Sequence, residues 1–107
     1  MLGQDHADVA NTIENIGVIY AQQGKFDVSL SKFQEALDIR IMALGADHVD
    51  VSTTQYKMAL VYEEKGEPKT ALALCVESVQ RAARALGVDH PEVAKRMAVR
   101  ERLQKSV

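Results

Sequence analysis

Cysteine, proline and aromatic residues are scarce in this 107-residue chain, and each shortage closes off a class of protein. A single cysteine, Cys75, excludes an intrachain disulfide and fits a reducing compartment. Aromatics make up 5% of the sequence and none interleaves the basic residues, which with a formal charge of −2 argues against a nucleic-acid partner. No apolar run is long enough to span a bilayer. The start, Met1-Leu2-Gly3-Gln4-Asp5, turns polar at once, unlike a secretory signal. The expectation is a cytoplasmic protein with no membrane contact. With only two prolines, Pro68 and Pro91, each can be assigned a specific place: the first position of a helix, where a missing N–H costs nothing.

What is present is repetition. Leu2-Gly3-Gln4-Asp5-His6 returns as Leu44-Gly45-Ala46-Asp47-His48 and as Leu86-Gly87-Val88-Asp89-His90, each copy 42 residues after the last. A fixed period of this size marks a stacked array whose units cannot bury their apolar faces alone. Charge follows a different division. Residues 1–80 carry six Lys/Arg against twelve Asp/Glu, and residues 81–107 carry seven against three. A solvated terminal helix explains this split, and so would an acidic partner or the acidic half of a neighbouring copy.

Each unit reads as two helices. Val9, Ile13, Ile16, Gly17 and Tyr20 fall on one helical face, and Phe26, Leu30, Phe33, Leu37 and Ile41 on the next. The second unit repeats this with Val51, Met58, Ala59 and Tyr62, then Leu72, Cys75, Val79 and Ala83. Gly24 and Gly66 stand where each first helix must stop and reverse. Helices are expected near 7–22, 26–43, 49–64, 68–85 and 91–104. In the last of these Val93 and Met97 keep the apolar stripe, but Arg100, Glu101 and Gln104 replace apolar columns, as a terminal cap requires. The first helix pair has no such device, so its outer face is expected either to continue a longer array or to pair with something, a second copy included.

These residues carry a family resemblance. Gly17, Tyr20, Gly24, Phe33 and Ala36, then Ala59, Tyr62, Gly66, Ala71 and Cys75, stand at the spacing of the tetratricopeptide repeat. The 42-residue form, with Leu86-Gly87-Val88-Asp89-His90-Pro91 as its linker, resembles the repeats of kinesin light chains, although Ala7 and Val49 replace the proline in the first two copies. HEAT and armadillo repeats have similar periods, but the small residue at Gly17/Ala59 followed three later by Tyr20/Tyr62 favours the tetratricopeptide form. The resemblance implies an all-α fold of stacked helix-turn-helix repeats in a right-handed superhelix. One domain over 1–107 would hold repeats at about 7–43 and 49–85 and a capping helix at about 91–104. It also implies a concave groove, lined by the first helices, that holds a peptide.

The spacing picks out the residues that would share that face. Asn11, Asn15, Val18 and Gln22 lie at i, i+4, i+7 and i+11. Thr53, Lys57, Leu60 and Glu64 are their 42-residue equivalents, Lys95, Val99 and Arg102 continue the row, and Tyr56 lies at its rim. Amides such as Asn11 and Asn15 both donate and accept, and so can hold a peptide backbone without reading its side chains. The resemblance matches Asn15 to an asparagine that the kinesin light chains use in their groove. Lys57, Lys95 and Arg102 make an acidic peptide the favoured guest.

Chemistry finds less support. His6, His48 and His90 recur at the structural period, and helix pairs stack ~10 Å apart, too far for one metal to bind all three. Their role is read as structural, closing each turn and opening the next helix. Cys75 lies on an apolar stripe, and no glycine loop is placed to cradle a phosphate. No catalytic residue, metal or cofactor is assigned, and the expected protein is a non-enzymatic interaction module.

Overall fold

The computed structural model describes residues 5–107, which form five helices and, among the described residues, no strand: α1 Asp5–Gln22, α2 Phe26–Leu44, α3 Val49–Lys65, α4 Pro68–Leu86 and α5 Pro91–Ser106. The Leu2-Gly3-Gln4 part of the first repeat copy lies outside the described residues. Every boundary agrees with the periodicity to within two residues, the ordinary spread of helix ends. Packing runs in sequence: α1 on α2, α2 on α3, α3 on α4, α4 on α5. None of these helices is long and apolar enough to cross a membrane.

The helix ends account for the recurring phrases. His48 and His90 are extended and use Nδ1 to accept the N–H of Asp50 (3.0 Å) and Glu92 (3.1 Å), capping α3 and α5. Asp50 and Glu92 also put carboxylates in the first turn, where the helix dipole favours them. The glycine before each pair has a specific task. Gly45 and Gly87 sit at φ 90°, ψ 153° and φ 94°, ψ 149°, a region essentially closed to residues with a Cβ. The turn inside each hairpin is a different one. Gly66 donates to the Glu63 carbonyl (3.1 Å) and Glu67 to that of Tyr62 (2.9 Å), the paired bonds of a Schellman stop.

Close approach within the hairpins needs small residues. A Cβ on Gly17 would stand 3.2 Å from the Ser29 carbonyl oxygen, and the Ser29 hydroxyl donates to the Gly17 carbonyl (2.7 Å). In the second hairpin Ser52 and Ser78 exchange hydroxyl-to-carbonyl bonds of 2.7 and 2.8 Å. Apolar packing then joins successive helices in two clusters. Leu30, Phe33 and Leu37 of α2 meet Val51, Met58 and Val61 of α3. Ala59 of α3, Ala71, Cys75 and Val79 of α4, and Val99 and Leu103 of α5 form the other. Cys75 is fully buried and its thiol contacts the Arg96 carbonyl (3.4 Å); burial pushes its pKa up, so it stays protonated and inert.

Three expected core positions prove open. Val9 and Ile16 are 45% and 37% exposed, and Ile41 is 37% exposed. For the first two the cause is plain: their counterparts Val51 (0%) and Met58 (4%) are buried by the preceding hairpin, and among the described residues no hairpin precedes α1.

A buried polar knot ties the hairpins together. Glu14 of α1 accepts from Arg40 of α2, from the Thr54 hydroxyl of α3 (2.8 Å) and from Lys57 of α3. Arg40 also donates to Thr54 (2.6 Å) and to Asn11 (2.5 Å). Burial alone would raise the Glu14 pKa, but the bonds from Lys57 and Thr54 and the charges of Arg40 and Lys57 together hold it below the ordinary glutamate value.

Two outcomes follow from this packing. A folded-state pKa below the unfolded one adds stability that is complete above the ordinary glutamate range and is lost as pH falls through the folded value. Urea midpoints between pH 7 and 3 should therefore drop less steeply for Glu14→Gln than for the parent, and parallel curves would refute the assignment. Glu14→Ala, which leaves Arg40 buried without its carboxylate, should cost about 3–5 kcal/mol at pH 7. Cys75 should resist a thiol reagent in the native protein and react only on unfolding, so rapid native labelling would contradict its burial.

Candidate functional site

The face chosen from the sequence divides into three in the structure. Val18 and Gln22 of α1 and Lys57, Leu60 and Glu64 of α3 line one groove of about 310 Å³, together with Ala21, Phe33 and Val61. Phe33 reaches it from α2, so the floor is apolar and the polar groups stand at the rim. Asn15 lies exposed on the same helix, one turn before Val18.

Asn11 belongs to a neighbouring cleft of about 240 Å³, with His6, Ala7, Ile39, Arg40, Ala43, Leu44 and Asp50. There its amide oxygen is taken by Arg40. That cleft sits where the start of α1, the end of α2 and the start of α3 converge.

The remaining positions are occupied in joining α3 to α5. Thr53 accepts from Arg96 (3.0 Å), and Arg102 forks onto Glu63 through Nε (3.1 Å) and Nη2 (2.5 Å). Tyr56 and Val99, expected on the open face, are instead 8% exposed each and belong to the core. The reason is that α5, packed on α4 and bonded to α3 through Arg96 and Thr53, brings Val99 and Leu103 into one core cluster with Tyr56. The Tyr56 ring is further covered by two cations, the Arg96 guanidinium at 4.9 Å and the Lys95 ammonium at 5.7 Å from its centre. Burial raises the pKa of its phenol despite the opposing charges of Arg96 and Arg102.

Electrostatics change accordingly. Lys57 is paired with Glu14 and Arg102 with Glu63, so two of the three cations that favoured an acidic guest are already neutralised within the fold. Lys95 is exposed over Tyr56, and Glu64 is exposed at the groove rim.

The residues that sequence reasoning missed are Ala21, Phe33 and Val61 in the groove, and Glu14, Arg40 and Thr54 in the buried cluster that holds Lys57. A signal for the last group existed. Glu14 stands in the column of Tyr56 and Arg40 in that of Ala82, so a carboxylate and a guanidinium replace uncharged residues in one unit together. Opposite charges introduced as a pair into buried columns point to a buried ion pair. Periodicity does not separate the three groove residues from the core, because a half-buried residue beside a cleft has the same spacing as one inside it.

Comparison with known proteins accords with this architecture. A family model described as tetratricopeptide repeat matches residues 8–74, which take in nearly all of α1, the whole of α2 and α3, and the start of α4. No curated protein matches the chain. Since the match covers well over half of the sequence and the helices it covers pair as successive hairpins, the chain belongs to the tetratricopeptide repeat family.

Proposed function

We propose that this chain is a protein-interaction module that takes a peptide segment in the groove between α1 and α3. Two repeats and a closing helix over 1–107 supply the scaffold, in the 42-residue form that resembles kinesin light chains. The observation that carries the reading is the groove itself: apolar side chains from three helices at its floor, with Gln22, Lys57 and Glu64 around its rim. Such a site suits a peptide that buries one bulky apolar side chain while rim groups hold its backbone. Asn15 and Gln22, both exposed, are the groups best placed to do so.

The acidic preference rests on less. Lys57 and Arg102 are engaged, which leaves Lys95 as its support, some way along the row from the groove. An apolar anchor is therefore the first requirement of the guest, and negative charge a secondary one. Self-association, the other reading of the sequence, draws on the open face of α1, and a mass that doubles with concentration would establish it.

The test is a peptide array spanning apolar, acidic and control segments, followed by fluorescence anisotropy on the captured sequences. Peptides with a leucine, phenylalanine or tryptophan anchor should bind, and Leu60→Gln should weaken them at least about tenfold with helical content unchanged. Asn15→Ala should weaken them less, across all captured sequences alike. A folded domain that captures nothing, or binding indifferent to Leu60→Gln, would overturn the reading.

A further inference from the structure

We infer that the guest of the groove between α1 and α3 carries a lysine or arginine two residues from its apolar anchor, received by Glu64 at the groove's end. The inference rests on the peptide reading proposed above and assigns the charge beside the anchor, the opposite of the one that the row of cations suggested.

The groove has unlike ends. Its walls run along the two first helices, from Val18 to Gln22 on α1 and from Lys57 to Glu64 on α3, with Leu60 between the charged pair. At one end the Lys57 ammonium already meets the buried carboxylate of Glu14. An acidic side chain there would compete with a partner that the fold itself supplies. At the other end Glu64 is exposed, and among the described residues no ion pair or hydrogen bond engages its carboxylate.

The backbone adds to that negative charge. Helix α1 ends at Gln22 and α3 at Lys65, so the last carbonyls of both helices, the negative poles of their dipoles, lie at the Glu64 end. The last turn of α1 holds no basic residue. That of α3 holds Lys65, whose ammonium is shared between Asp27 (2.8 Å) and Glu67 (3.0 Å). Lys25, in the turn after α1, stands over the Tyr20 ring, 5.9 Å from its centre. Two cations, Lys25 and Lys65, thus face three carboxylates, Asp27, Glu64 and Glu67, and the one left over is Glu64 at the groove rim.

Spacing fixes where a guest cation would sit. Leu60 and Glu64 are four residues apart, which is ~6 Å along a helix axis. An extended peptide advances ~6.6 Å over two residues, and residues two apart point to the same side. A side chain seated on Leu60 and Phe33 therefore has its second neighbour, in one chain direction, beside Glu64. Acidic residues of the guest would lie farther out, toward Lys95.

The test measures fluorescence anisotropy of short labelled peptides with a single tryptophan anchor. The residue two positions from it, before or after, is lysine, glutamine or glutamate. At low salt a lysine peptide should bind about two- to fivefold tighter than its glutamine counterpart, and the glutamate peptide more weakly than either. High salt should shrink the difference. The advantage should vanish in Glu64→Gln, with affinity for the glutamine peptide kept, and reverse in Glu64→Lys. It should persist in Glu101→Gln, which alters an exposed carboxylate of α5 outside the groove walls. Glu64 is exposed, so its variants should keep their helical content by circular dichroism. Equal binding of all three charges, or a lysine advantage that outlasts Glu64→Gln, would overturn this inference and leave the groove standing. Capture of no peptide, or binding that Leu60→Gln leaves unchanged, would overturn the groove and this inference together.

Discussion

The carboxylate of Glu14 is the group on which the relation between the two hairpins depends. It is nearly buried, and an ionised carboxylate in such a place is tolerated only when its oxygens are fully engaged. Arg40, Thr54 and Lys57 meet that demand from two other helices. An apolar seam such as that of Leu37 against Met58 tolerates sliding, because dispersion contacts are not directional. Hydrogen bonds to one carboxylate are. The knot therefore selects one spacing of α1, α2 and α3, and that spacing sets the width of the groove whose rim includes Lys57.

The same economy explains why the row along the first helices offers less free charge than its composition suggests. Cations that stand in line along the first helices are spent between neighbours: Lys57 on Glu14, Arg96 on Thr53 and the Tyr56 ring, Arg102 on Glu63. Each contact links one first helix to the next, so the polar row works partly as mortar between repeats. What remains for a partner is an apolar floor and a small number of amide and carboxylate groups.

Much of the fold was legible in the chain because its signals are local. The positions of Gly45 and Gly87, His48 and His90, Pro68 and Pro91 mark helix ends through backbone torsion, a single accepted N–H and a missing one. Five of the twelve residues selected for the binding face do come together in one groove. Tyr56 and Val99 do not belong to it, since helical periodicity assigns a direction around one axis and says nothing of how near the next axis lies. Phe33 is the converse case: its spacing marks it as core, which it is, and its ring also lines the groove.

Helix number, helix ends and the 42-residue unit could all be read along the chain, because caps, reversals and apolar spacing act within a few residues of one another. Which faces are closed could not be read that way and emerged from packing. Val9 and Val51 are the same residue in the same column, one open and the other sealed. The difference lies in whether a second helix has been brought against them, and that depends on contacts between segments far apart in the chain.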